Sequence, residues 1–191
     1  MKICVYGAAS NEIDKSFILA GEALGREMSK RGHCLIFGGG ASGLMGATAR
    51  GVKEHNGYIV GIAPEFFNVD GALYNKCDEL IKTQTMRERK ALMEEKSDAF
   101  VVTPGGIGTF EEFFEILTLR SLDRHKKPIA ILNTNGYYDD LLSFLKNGVE
   151  QNFLRESNLD LFFVSDSEKE ILDFLESYND STDYIEKTRF S

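Results

Sequence analysis

The stretch Thr103-Pro-Gly-Gly-Ile-Gly-Thr-Phe-Glu-Glu-Phe-Phe-Glu115 places three glycines, two hydroxyls and three carboxylates, two of them adjacent, directly after the apolar run Ala99-Phe-Val-Val102. A strand that hands over to a helix in this way leaves backbone N–H groups unpaired and a positive dipole end exposed, and both favour an anion. The chemistry suggested is phosphate binding by Gly105, Gly106, Gly108 and Thr109, with a carboxylate one turn into the helix. The plainer alternative is a tight turn whose glycines only save space. Glu111 and Glu112 are adjacent, about 100° apart on a helix, so one faces the pocket and the other solvent or a neighbouring helix. Dipole compensation in the first turn would by itself account for both.

A second cluster, Met86-Arg-Glu-Arg-Lys90, opens another helix with three cations in four positions. Cations near a helix N-terminus oppose its dipole at a cost of a few tenths of a kcal/mol, roughly, unless an anion offsets it. Arg suits bidentate contact with phosphate or carboxylate, and Arg89 and Lys90 point to different sides of the helix. A solvated helix face is the alternative.

The elements that must position these groups alternate from end to end. Strand-like runs fall at 2–6, 34–37, 58–62, 99–103, 128–132 and 162–165. Helical patterns fall at 13–31, 44–54, 86–96, 108–124, 137–150 and 167–178. Residues 64–85 read mostly as loop, and Ser167 with Glu170 fits a capping box. The strands are short continuous apolar runs, as expected when both sheet faces are covered. The pattern predicts an α/β fold: a doubly wound, mostly parallel, Rossmann-like sheet with helices on both faces. Residues 1–178 read as one nucleotide-binding domain and 179–191 as a polar tail. Each glycine cluster follows a predicted strand, so the clusters gather at the carboxyl edge, where such sheets bind ligands.

Other motifs narrow the chemistry. Gly38-Gly-Gly-Ala-Ser-Gly43 matches G-x-G-x-x-G but follows the second strand, not the first. Glu65 lies at the distance of a ribose-binding acid, and an NAD-type site rests on that analogy only. The better role for the loop is a second tight turn facing the same pocket. No Gly-Lys-Ser/Thr P-loop and no G-x-S-x-G elbow occur. His33, His55 and His125 are scattered and read as surface or turn residues, so no metal site is expected. Cys4, Cys34 and Cys77 lack paired spacing and suit reduced thiols in a cytoplasm, with Cys4 and Cys34 in strands. A net charge of −8 argues against nucleic acid as partner. No apolar run approaches the ~18 residues of a membrane span, and the first residues read as a strand rather than a targeting signal.

Taken together, Met86-Arg-Glu-Arg-Lys90 as M-x-x-R-K and Pro104-Gly-Gly-Ile-Gly-Thr-Phe-Glu-Glu112 as P-G-G-x-G-T-x-x-E resemble the LOG ("lonely guy") family. So do Gly38-Gly-Gly-Ala-Ser-Gly-Leu-Met-Gly46 and Lys127-Pro-Ile-Ala-Ile-Leu-Asn-Thr-Asn-Gly-Tyr-Tyr138. The resemblance runs from Ile3 to about Leu175. These proteins are cytokinin riboside 5′-monophosphate phosphoribohydrolases, long mislabelled as lysine decarboxylases. The resemblance implies hydrolysis of the N-glycosidic bond of a nucleoside 5′-monophosphate to free base and ribose 5-phosphate. It makes Arg89 and Glu112 the catalytic pair and puts the 5′-phosphate on Gly105, Gly106, Gly108 and Thr109. It adds Lys90 and Thr118 to the nucleotide site, and implies no cofactor, no metal and a homodimer with the pocket near the subunit interface.

Two departures stand out. Arg87 replaces a frequent His, and Thr118-Leu-Arg-Ser-Leu-Asp-Arg-His-Lys-Lys-Pro128 replaces T-W-x-Q-L-G-x-H-x-K-P, losing the Trp and Gln. The loss of the Trp and Gln leaves the phosphate and ribose end intact and alters the base end, so plain adenine competes with an isoprenoid-modified adenine as the base.

The chemistry follows. Cleavage develops positive charge on the anomeric carbon and ring oxygen, which an ionised Glu112 stabilises while orienting water. Arg89 neutralises phosphate or keeps Glu112 ionised. A nucleotide-binding module without catalysis is the competing class. The older decarboxylase label needs pyridoxal phosphate on a Lys, and no lysine sits in a recognisable setting for it.

Overall fold

A computed structural model describes residues 1–67 and 71–179. The chain alternates β1 (Lys2–Tyr6), α1 (Lys15–Lys30), β2 (Cys34–Phe37), α2 (Gly43–Glu54), β3 (Ile59–Pro64), β4 (Glu79–Thr83), α3 (Met86–Lys96) and β5 (Ala99–Val102). It continues with α4 (Ile107–Ser121), β6 (Ile129–Leu132), α5 (Asp139–Glu150), β7 (Phe163–Ser165) and α6 (Glu168–Ser177). The seven strands form one sheet in the order β4-β3-β2-β1-β5-β6-β7. Every pairing is parallel, with Ile3 opposite both Leu35 and Ala99.

Successive strand residues point to opposite faces. Ile3, Val5, Leu35, Phe37, Ala99 and Val101 pack with Leu24 and Met28 of α1, Val52 of α2 and Ile171, Leu172 and Leu175 of α6. Cys4, Tyr6, Ile36, Ile62, Phe100 and Val102 pack with Met93 of α3, Phe113 and Ile116 of α4 and Leu145 of α5. Both faces are covered, which is why the strand runs are apolar throughout. The chain leaves β1 toward β4 on one side and returns to β5 on the other. The switch point therefore opens between the loops after β1 and β5, where ligands of such folds bind. Ala8 N–H donates to Pro104 O at 3.0 Å and Thr103 Oγ1 to Tyr6 O at 2.8 Å, tying the two loops together.

Several sequence expectations are corrected. The segment at 64–85 is largely turns and loop among its described residues, but it also holds β4, a half-exposed edge strand whose Glu79 and Lys82 hide the apolar signal. Helix α4 stops at Ser121, earlier than expected, because Asp123 adopts φ 55° and the N–H of Arg124 turns back to Leu119 O at 2.8 Å. The Ser167 hydroxyl caps α6, but the Glu170 carboxylate accepts from Ser165 Oγ at 2.6 Å instead of closing a capping box. His33 and His125 are buried, not superficial: His33 Nε2 pairs with Glu176 at 2.7 Å, and His125 Nε2 reaches Ile116 O at 2.9 Å with its ring beside Phe100. Cys4 is fully buried and Cys34 half-buried. Of the tail expected at 179–191, all but Asn179 lies outside the described residues. No helix among the described residues is long and apolar enough to cross a membrane.

Candidate active site

Helix α3 starts with a full capping box: Thr85 Oγ1 accepts from Glu88 N, and the Glu88 carboxylate accepts from Thr85 N. Thr85-Met-Arg-Glu88 carried that signal in the sequence. The cap fixes the first turn, so Arg89 leaves α3 toward the carboxyl ends of the strands. Its Nε donates to Ile62 O at the end of β3 at 3.2 Å, and its Nη1 donates to Glu112 Oε1 at 2.9 Å. The two side chains are only 6% and 11% exposed.

Gly38, just past β2, makes room for this guanidinium, because a Cβ there would collide with Arg89 Nη2. The glycine loop after β2 thus touches the ion pair at Gly38. Glu65 sits in a short turn beyond β3 with its side chain exposed.

Burial pushes the Glu112 carboxyl above its ordinary pKa of 4.5, and the charge and hydrogen bond of Arg89 pull the other way without cancelling it. Glu112 Oε2 takes no hydrogen bond among the described residues. One oxygen is therefore held while the other remains available to a reacting group. The void behind the pair, lined by Tyr6, Glu94, Glu115, Ile116 and Leu119, is about 10 Å³. That is the space of about one water at most.

Glu112 is carried on the second turn of α4. Its N-cap is Gly106, which has no side chain to cap with. The N–H groups of Ile107, Gly108 and Thr109 meet no acceptor among the described residues, and Gly106, Ile107 and Gly108 are exposed. Gly105 is needed for close approach, since a Cβ would run into Thr109 Oγ1, and Thr109 is buried against it. Two tyrosines brace this loop: Tyr137 OH donates to Gly105 O at 2.6 Å and Tyr138 OH to Thr103 O at 2.8 Å. Sequence reasoning missed Tyr137 as a site residue. Its signal was a Tyr pair placed just past a strand, on the sheet edge where the glycines gather.

Beside Gly105 and Gly106 the switch point opens into a hollow of about 270 Å³ walled by Ala8, Ile13, Phe17, Leu44 and Tyr137. Arg89 and Glu112 do not line it; they lie on the α3–α4 side of the loop. Lys90, expected at the nucleotide, turns away from Arg89, and its Nζ pairs with Glu111 at 2.5 Å and Glu115 at 2.7 Å. Thr118 is exposed and lines a separate hollow of about 140 Å³ with Phe114, Leu117, Leu145 and Phe162. A hollow of about 820 Å³ adjoins it near Leu122, Phe153 and Arg155, away from the ion pair. Of the aromatic residues on α4, Phe113 is core and Phe114 faces outward. No group of three or more His, Cys, Asp or Glu side chains among the described residues can hold a metal.

A carboxylate fixed by a buried arginine, on a helix whose N-terminus has free amides, is equipped to hold an anion and stabilise a neighbouring cation. The family model described as "Possible lysine decarboxylase" matches residues 45–175. A cytokinin riboside 5′-monophosphate phosphoribohydrolase of Arabidopsis thaliana is 35% identical over 193 residues, 99% of this chain and 83% of that protein. A protein of Oryza sativa subsp. japonica named "probable cytokinin riboside 5′-monophosphate phosphoribohydrolase" is 35% identical over 184 residues, 96% of this chain and 74% of that one. The Moco carrier protein of Chlamydomonas reinhardtii shares the fold, with a TM-score of 0.68 at 21% identity over 97% of this chain and 98% of its own. With more than half the chain inside the family model and such relatives along nearly its whole length, this chain belongs to the LOG family of phosphoribohydrolases.

Proposed function

We propose that the chain hydrolyses the N-glycosidic bond of a purine nucleoside 5′-monophosphate, adenosine or cytokinin type, releasing free base and ribose 5-phosphate. The observation that carries this is the buried Arg89–Glu112 pair set one helical turn behind the uncapped N-terminus of α4. The 5′-phosphate sits on the loop of Gly105, Gly106, Gly108 and Thr109, whose amides need no rearrangement to receive it. Glu112 steadies the oxocarbenium-like sugar and orients the attacking water, while Arg89 keeps the carboxylate ionised against its burial. Phosphate binding far from the broken bond sets the geometry at it. No step requires a metal or organic cofactor.

A homodimer is the assembly that fits. Phe153, 87% exposed, shares a surface hollow with Leu122, Phe144 is 72% exposed, and Thr118 lines a hollow separate from the glycine loop. Light scattering on the purified protein reads the assembly directly.

The test of the reaction is chromatographic. Purified protein is incubated with AMP, with an isoprenoid-substituted AMP and with the matching nucleosides. Free base from the monophosphates and little from the nucleosides is expected. Equal turnover of both would remove the phosphate argument. Nucleotide binding without base release would favour a carrier or sensor.

A further inference from the structure

Lys90 follows Arg89 in the chain yet performs a different task. We propose that Lys90 is a positioning residue for the glycosidic step, not a ligand of the 5′-phosphate: by clamping Glu111 and Glu115 to α3 it holds α4 where Glu112 meets Arg89. This rests on the reaction proposed above.

The geometry is specific. Glu111 and Glu115 are four apart on α4 and so lie one above the other. The Lys90 ammonium sits between them, with its side chain 13% exposed, donating to Glu111 Oε1 at 2.5 Å and Glu115 Oε2 at 2.7 Å. Burial works against the ammonium, but the two carboxylates outweigh it and its pKa is raised. A phosphate seeking this cation would have to displace both carboxylates. It would also meet a cluster of two cations (Arg89, Lys90) and three carboxylates (Glu111, Glu112, Glu115), which already carries a net negative charge.

Every titratable group around Glu112 can be named. Helix α3 contributes Arg89, Lys90 and Glu94, α4 contributes Glu111 and Glu115, and β1 contributes Cys4 and Tyr6. Burial lifts the Cys4 thiol to about 12 and the Tyr6 phenol well above its ordinary value, so both stay neutral at physiological pH. Glu111 opposes ionisation of Glu112 and Lys90 favours it. Lys90 therefore acts twice on the same carboxylate, through helix placement and through charge.

The experiment compares wild type, Lys90→Met and Lys90→Arg in AMP hydrolysis, reading kcat, KM and the pH dependence of kcat. Lys90→Met is expected to lower kcat about 10-fold, a typical penalty for loosened geometry, with KM changed less than about 3-fold. Its acid limb should move to higher pH, and Lys90→Arg should recover most of the rate. A rise in KM for AMP of about 10-fold or more with kcat retained would make Lys90 a phosphate ligand and overturn the proposal. Unchanged kcat and unchanged pH profile would overturn it equally. Should Lys90→Met fail to fold, Glu115→Gln removes one arm of the clamp, and the same kcat loss at constant KM is expected in weaker form. If wild type itself releases no adenine, the proposed reaction falls and this role falls with it. An active wild type beside a KM-defective variant removes only the assignment of Lys90.

Discussion

Replacing Glu112 by Gln separates a working ion pair from a merely structural one. The amide keeps an oxygen where Oε1 accepts from Arg89 Nη1 at 2.9 Å, and it removes the negative charge. Catalysis should suffer, because the carboxylate charge is what opposes the sugar cation. A loss of at least about 10²-fold in kcat is expected, equivalent to roughly 2.7 kcal/mol of transition-state stabilisation. Stability should not suffer in proportion. Removing one partner of a buried pair outright costs about 3–5 kcal/mol, but here a hydrogen-bond acceptor remains. The folded state also raises the Glu112 pKa, with burial outweighing the attraction of Arg89.

The sign follows from linkage: a raised folded-state pKa means a stabilising contribution that is complete below the unfolded-state value and lost as pH rises through the folded-state one. A neutral isostere escapes the burial cost of the carboxylate but leaves the buried Arg89 without its counter-charge, so the two effects oppose each other. Glu112→Gln should unfold within about 1 kcal/mol of wild type at pH 7, on either side, the scale of one neutral hydrogen bond. Denaturant melts and AMP turnover on the same preparation measure both quantities. A variant that keeps near-wild-type release of adenine but loses several kcal/mol of stability would show the pair to be structural and refute the reasoning.

Other predictions address the surroundings of that pair. With Glu112 required in its ionised form, kcat should fall as pH drops through a value above 4.5, and a pH series at saturating AMP should show this limb in wild type and not in Glu112→Gln. Gly38→Ala places a methyl against Arg89 Nη2. Overpacking of this kind costs about 1–3 kcal/mol, and because the obstructing group is the end of a side chain, turnover should fall by more than the melting temperature suggests. Tyr137→Phe deletes the 2.6 Å bond to Gly105 O and should raise KM for AMP several-fold with kcat largely kept, measured by initial rates. A variant with unchanged KM would show that the loop holds its shape without this brace.

The α/β alternation was legible because each buried strand is a short apolar run and each covering helix carries a stripe of matching period. The strand that escaped detection, β4, lies at the sheet edge with Glu79 and Lys82 in it, and its identity comes from pairing with β3. The end of α4 escaped because a single left-handed residue, Asp123, terminates a helix that no glycine or proline interrupts before Pro128. His125 escaped because its burial depends on a carbonyl, Ile116 O, that only the folded chain brings within reach.

For the site, the residue types and their local spacing were enough to expect unpaired helix-terminus amides in the Thr103–Glu115 turn and a cationic cluster at Met86–Lys90, since amides and dipoles at a helix terminus are local properties of a strand–glycine–helix sequence. Which of two adjacent glutamates meets Arg89, and which of two adjacent cations it meets, was set by packing. Side chains about 100° apart on two helices have several possible pairings, and the docking of α3 on α4 chose Arg89 with Glu112 and Lys90 with Glu111 and Glu115. The degree of burial that raises the Glu112 pKa was likewise decided in three dimensions, because desolvation sums over neighbours drawn from strands and helices far apart in the chain.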